Sequence, residues 1–446
     1  MKIKLKYILI LTAVFCSGVA VFFLNQAIQK NKIPDTTALC IDWYSKALYC
    51  EQYTEGFTVP VAAYFYGYMG LLGKLAHSYQ IHDFKFFKDN YPDIEIHEVG
   101  KTNVNLNAML NEAYYSFIKR YNLSLSPSLT KEVEDLHDKW DKKYDDSSYK
   151  NSKDLGVQLA EDIFLFESKD STAYQAYLHN FSREYIPPVG DFLWTIDTEH
   201  PMPALLPYWG RTKTLLPGCD TLMAKQLPAL EYDESSQLFT QGLEIFTLTS
   251  PLSYENKWIA EFWSDDIKGL TFTPAGRWIA ISNQVVKLEN PDVGKLINTY
   301  LVVGLALHDA AIVCWKEKYH YNLERPEVYI RKVFNDNWRP YRHSPNHPSY
   351  PSGHAIFGMA SAEVLTRLYG NKYKFKDRSH EGRTEFLSKP RTFNSFYEMA
   401  FENAYSRILL GVHFRMDCTE GIRLGLLVGK AVNSMDIGDE KQISMN

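Results

Sequence analysis

Apolar residues recur at three-and-four spacing in three stretches of the first half of the chain. That period predicts amphipathic helices at 103–121 (NVNLNAMLNEAYYSFIKRY), 128–144 (SLTKEVEDLHDKWDKKY) and 152–168 (SKDLGVQLAEDIFLFES). From Pro251 onward the same period dominates, giving expected helices at 253–266, 292–323, 393–412 and 418–435, and another starting at Gly353 (GHAIFGMASAEVL). Alternating strand patterns are sparse, so the expected fold class is all-α, built of helical bundles. Between the halves, YIPPVGDFLW and HPMPALLPYWG interleave aromatics with prolines, which predicts an ordered excursion and not a flexible linker. The expected division is a terminal segment at 1–30, an N-terminal helical region at 31–245 and a C-terminal bundle at 246–446 that carries the chemistry.

The terminal segment has its own pattern. Basic MKIKLK precedes YILILTAVFCSGVAVFFL, residues 7–24, which is 18 residues without a charge. This reads as a signal peptide or a single membrane anchor, and lysines on its N-terminal side place the rest of the chain outside the cytoplasm, in the periplasm or at the cell surface. The nearest second run, YLVVGLALHDAAIVCW, is interrupted by His308 and Asp309. With 446 residues, 45% of them hydrophobic, the chain can bury a sizeable core. A net charge of −5 with no basic stripe argues against a nucleic-acid partner. The six cysteines, Cys16, Cys40, Cys50, Cys219, Cys314 and Cys418, show no zinc spacing. Cys40 and Cys50 could pair in an oxidising compartment; otherwise the cysteines read as small buried hydrophobes.

Three segments carry candidate chemistry. In WKEKYHYNLERPEV, Lys318 and Arg325 are seven apart, two turns on one helix face, with Pro326 expected to mark the helix end. In SPNHPSYPSGHAIFG, Pro351 lies near a helix start, Ser352 is a natural N-cap, Gly353 lets a ligand approach the backbone, and His354 lies on the first turn. In SRILLGVHFRMD, Arg407 projects from the end of an apolar helix, Gly411 ends it and His413 follows. Asp417 can then hold the second ring nitrogen of His413. Each alone has an ordinary structural reading: a solvated basic face, a capped helix with a satisfied histidine, a helix end with a terminal cation. Together, three cations, a Ser-Gly cradle at a helix N-terminus and two histidines describe a site for a tetrahedral oxyanion.

These segments resemble the superfamily of type-2 phosphatidic acid phosphatases and vanadium-dependent haloperoxidases. Its motifs K-x6-R-P, P-S-G-H and S-R-x5-H-x3-D are met by Lys318, Arg325 and Pro326; by Pro351, Ser352, Gly353 and His354; and by Ser406, Arg407, His413 and Asp417. The resemblance implies that Lys318, Arg325, Ser352, Gly353 and Arg407 hold a vanadate or phosphate oxyanion. His413 would ligate vanadium or attack phosphorus, and His354 would serve as acid and base. Arg415, Trp315 and His347 are similar to the haloperoxidase branch, where Trp315 and His347 would line a halide pocket and His347 would favour bromide or iodide. On that branch the implied cofactor is vanadate and the substrates are hydrogen peroxide, halide and small organic acceptors, with Lys318 polarising the peroxide. The alternative on the same residues is an exported acid phosphatase acting on phosphate monoesters through a histidine nucleophile, and a non-catalytic phosphate binder is a further one. Asp265 and Asp266 read as a surface pair or as acids behind His354.

Overall fold

The computed structural model describes residues 33–98, 104–121, 125–196 and 201–438. The chain opens with α1 (Asp35–Tyr53), α2 (Val59–Ile81) and the short α3 (Lys85–Asn90). The three amphipathic stretches then fold as α4 (Leu106–Tyr121), α5 (Pro127–Asp141) and α6 (Lys150–Glu167), within a few residues of their expected bounds. A capping serine and a first-turn proline fix the start of α5: Ser126 Oγ accepts from Leu129 N, and Pro127 follows it. The second half contributes α7 (Gln237–Thr249), α8 (Tyr254–Phe262), α9 (Pro274–Glu289), α10 (Val293–Tyr321), α11 (Pro326–Val333), α12 (Gly353–Tyr369), α13 (Phe396–Leu409) and α14 (Arg415–Asn433). Among the described residues, strands are confined to two antiparallel ribbons, β1 (Phe181–Ser182) with β2 (Ala204–Leu205) and β3 (Phe375–Asp377) with β4 (Arg391–Phe393). The fold is all-α.

At its centre runs α10. Among the described residues it is the one helix long and apolar enough to cross a membrane, and its apolar window is wholly buried within the protein. Along one flank lies α2, so close that a Cβ at Gly304 would come within 2.4 Å of the Tyr66 carbonyl oxygen. Residues on both sides of the expected division at 245 therefore share one hydrophobic core. His308 and Asp309, which interrupt the apolar run, form a polar clamp inside it. The Asp309 carboxylate accepts from Leu215 N at 2.8 Å, from Leu216 N at 2.9 Å and from His308 Nδ1 at 2.8 Å, tying the proline-rich excursion to the core.

That excursion is ordered, as expected. Trp194 N donates to Asn322 O at 2.6 Å, Glu324 N to Phe192 O at 2.8 Å, and Leu205 N to Asn346 O at 3.0 Å. Cys40 and Cys50 do not pair: both lie in α1 as buried free thiols, each pushed up to about 12 by burial. The terminal segment at 1–30, with Cys16, lies outside the described residues. One seam bears directly on the chemistry. In α14, Gly421, Gly425 and Gly429 recur every four residues, and a Cβ at Gly421 would meet Ser352 O at 2.6 Å while one at Gly425 would meet Ile356 O at 2.4 Å. The backbone at the start of α12 therefore rests directly on α14, which fixes where Ser352 and Gly353 stand.

Candidate oxyanion site

Lys318 and Arg325 converge, but not along one helix face. Asn322 takes a left-handed conformation (φ 48°) and ends α10 at Tyr321, a conformation asparagine tolerates better than most residues. Pro326, expected to end a helix, instead begins α11, with Arg325 at its N-cap. The two cations meet because the link between these helices is pinned. Leu323 bridges Leu193, and Ser349 N donates to Leu323 O at 2.9 Å. Lys318 Nζ donates to the carbonyls of Pro348 and Ser349, both at 2.9 Å. Arg325 donates through Nε and Nη2 to His347 O at 3.1 and 3.0 Å, and through Nη1 to Val412 O at 2.8 Å. Arg407, near the end of α13, donates through Nε to Ser406 Oγ at 3.0 Å and through Nη2 to Trp263 O. All three cations are buried.

His413 follows a turn that only glycine fits. Gly411 has φ +76°, and a Cβ there would come within 2.8 Å of the Trp338 ring. The partners of His413 then set its tautomer. Arg325 Nη1, a permanent donor, lies 3.2 Å from Nε2, so Nε2 carries the lone pair. The proton sits on Nδ1, which donates to Asp417 Oδ2 at 3.0 Å. The same oxygen accepts from Phe414 N at 3.0 Å and from Ser349 Oγ at 2.5 Å. Ser349 was not among the expected site residues, although it lies two positions before Pro351 in the quoted motif. Arg407 Nη1 likewise donates to His354 Nε2 at 2.9 Å, which leaves the ring proton of neutral His354 on Nδ1.

The electrostatics are lopsided. Burial pulls Lys318 down from the ordinary lysine range, and brings Arg325 and Arg407 each down to about 10. His347, His354 and His413 are all held well below the ordinary histidine range, first by burial and then by the surrounding cations. Burial raises Asp417, against the pull of Ser349, Lys318 and Arg325. Lys318 and Arg325 therefore share one buried carboxylate, Asp417, while Arg407 has only the charge of Asp265, which Arg277 also claims, an imbalance that an oxyanion would relieve. Two further features fit such a ligand. Ser352 starts α12 without capping it, and its buried Oγ has no hydrogen-bond partner among the described residues. A Cβ at Gly353 would meet nothing closer than 3.7 Å, so packing does not demand glycine there. Gly353→Ala is thus expected to leave the melting temperature unchanged or slightly higher, while weakening oxyanion binding about tenfold, roughly 1.4 kcal/mol. Thermal melts and a vanadate titration read the two effects separately.

Trp315 and His347 lie side by side at the edge of this cluster, ring centroids 4.9 Å apart, with Trp315 Nε1 donating to Leu205 O at 3.2 Å. Arg415 does not join them. It is exposed and pairs with Glu244. The two adjacent aspartates are split: Asp266 is exposed, whereas Asp265 is buried, 3.4 Å from both Arg277 and His380. Arg277 also pairs with buried Asp377 at 2.9 Å. This second charge network lies behind Arg407, which the Asp265 charge supports. Sequence reading missed Arg277, since its partners lie 12 and 100 positions away.

Residues 298–436 match the family described as the VCPO second helical-bundle domain. Over those residues the C-terminal bundle is similar to a VCPO-type domain. The three signature segments all lie within that match. Vanadium chloroperoxidase from Curvularia inaequalis is 27% identical over a match covering 35% of this chain and 35% of that protein. Vanadium-dependent bromoperoxidase from Ascophyllum nodosum is 36% identical over 18% of this chain and 16% of its own length. The chain thus spans about a third or less of these two curated relatives. In fold the likeness runs further. A bacterial vanadium-dependent iodoperoxidase superposes with a TM-score of 0.74 at 24% identity, covering 91% of this chain and 97% of its own. A bacterial vanadium-dependent chloroperoxidase gives 0.61 at 17% identity, covering 85% and 93%. The VCPO-type match bears out the resemblance drawn from the three motifs.

Proposed function

We propose that the protein is a vanadate-dependent haloperoxidase, oxidising halide with hydrogen peroxide to a hypohalous-acid equivalent that small organic acceptors consume. The observation that carries this reading is a histidine, His413, whose Nε2 lone pair faces buried Arg325 while Asp417 holds its Nδ1 proton, with buried Lys318 and Arg407 completing the cation set. The chloro-, bromo- and iodoperoxidase relatives support vanadate over phosphate as the oxyanion.

In this reading Lys318, Arg325, Arg407, Ser352 Oγ and the Gly353 N–H hold the oxyanion's oxygens, and His413 Nε2 takes the vanadium. Bound vanadate would act as a Lewis acid that activates peroxide for two-electron oxidation of halide. The protein's residues then have separate tasks. Asp417 and Ser349 keep the His413 proton on Nδ1, so that Nε2 stays available as a ligand. His354, with Nε2 engaged by Arg407, gives and takes its proton at Nδ1 during peroxide entry. Lys318, held by two carbonyls, would have one N–H left to donate to the peroxide. Trp315 and His347 present the halide side, and His347 supports bromide or iodide over chloride. The basic and apolar start of the sequence supports an exported or membrane-anchored enzyme.

The test is halide oxidation by the full-length protein with hydrogen peroxide, with and without orthovanadate. Turnover of iodide or bromide that depends on added orthovanadate, and exceeds that of chloride, is the expected outcome. Rapid cleavage of p-nitrophenyl phosphate by the vanadate-free protein, with vanadate acting only as an inhibitor, would establish the phosphatase reading instead. Bound phosphate with neither turnover would mark a non-catalytic binder.

A further inference from the structure

A cleft of about 590 Å³ opens beside β1, and its lining shares no residue with the oxyanion site. On its inner side stands Glu51, a buried carboxylate whose partners are neutral: Oε2 accepts from Tyr66 Oη at 2.5 Å and Oε1 accepts from Thr273 N. Burial pushes Glu51 up to about 7, and the charge of Asp266 adds to that rise, so the two carboxylates feel one another. Asp266 itself lines the cleft in a left-handed conformation, φ 69°. Thr54 lines the cleft too, and its buried Oγ1 has no hydrogen-bond partner.

Among the described residues, no lysine, arginine or histidine pairs with Glu51 or Asp266; the one cation of the lining, Lys268, pairs with Glu55 at 3.1 Å. Leu178, Phe181 and Met202, each with an exposed side chain, give the lining its apolar surface. Chemistry and size together narrow the ligand. Two carboxylates and a free hydroxyl call for a cation that donates hydrogen bonds. The volume is that of an organic-molecule pocket, about 300–1,000 Å³, far more than a metal ion fills, and a hydrated ion gains nothing from the apolar surface.

We propose that this cleft binds a small organic ammonium compound, its nitrogen donating to Glu51, Asp266 and Thr54 and its apolar body lying against Leu178, Phe181 and Met202. The site stands independently of the haloperoxidase reading.

Benzylamine is a suitable probe, titrated into the full-length protein by calorimetry beside benzyl alcohol, benzoate and calcium chloride. Benzylamine is expected to bind about tenfold tighter than benzyl alcohol, in line with charge-assisted hydrogen bonds, and benzoate not to bind. Asp266→Asn, at an exposed position whose left-handed backbone asparagine accepts, should weaken benzylamine about fivefold or more without loss of fold. Glu51→Gln should do the same, and Thr54→Val should weaken it by a smaller factor. Equal affinity for the amine and the alcohol, or unchanged amine affinity in Asp266→Asn, overturns the proposal. Calcium that binds tightly and excludes benzylamine would overturn it in favour of a metal site.

Discussion

His413→Ala is expected to lose vanadate binding by two orders of magnitude or more, and with it all halide oxidation. The ring's Nε2 lone pair faces Arg325 Nη1 at 3.2 Å, and alanine removes it. The variant should still fold. Asp417 keeps its bonds from Ser349 Oγ and Phe414 N, so its buried carboxylate is not orphaned. The cost in stability is that of one lost hydrogen bond and a small cavity, about 1–3 kcal/mol. Vanadium NMR or calorimetry reports the binding, and urea denaturation reports the fold. Full halide oxidation by this variant would show that another residue ligates the vanadium.

Arg277→Met should cost more in stability than any change at the oxyanion site itself. Arg277 is wholly buried, stacked 4.6 Å from the ring centroids of both Phe262 and Trp263, and it is the cation that faces Asp265 and Asp377. Methionine fills much of the volume but leaves two buried carboxylates without their counter-charge, a loss of about 3–5 kcal/mol. The effect has a pH signature. Burial alone would raise Asp377, but Arg277, Ser379 and Gln284 outweigh it and hold its carboxyl below the usual range. A carboxyl depressed in the folded state stabilises at pH above the ordinary aspartate range, and that contribution is lost as pH falls through the folded value. The gap between wild type and Arg277→Met, measured as the urea midpoint, should therefore be widest near neutral pH and narrow in acid. Because Trp263 also offers its carbonyl to Arg407, the variant should bind vanadate more weakly as well.

Several residues of the candidate site could be read from the sequence because immediate neighbours fix them. Gly411 ends α13 and delivers His413, and the prolines before Ser352 deliver the start of α12. What could not be read depends on partners far along the chain. Ser349 matters because Asp417, 68 positions later, accepts its proton. Arg277 matters because Asp377 comes back to it across the β3–β4 ribbon. Asp265 looked like half of an exposed pair, since nothing local reveals that its neighbour Asp266 turns outward. Periodicity also failed where burial is complete. In α2 every residue except Gln80 and Ile81 is buried, so the helix has no polar face to set a period. Lys318 and Arg325 were paired correctly for an incomplete reason: seven positions suggested two turns of one helix, whereas Asn322 breaks the helix and a pinned connector brings them together.

The close fit of α2 against α10 bears on how such a chain can be made at all. The helix that carries Lys318 is apolar enough to pass for a membrane span, and before it is covered it offers a long sticky surface to chaperones and to other nascent chains. Its cover lies more than two hundred positions earlier in the sequence. Synthesis from the amino terminus therefore produces the cover before the surface that needs it, and α10 emerges into the company of a helix already waiting for it.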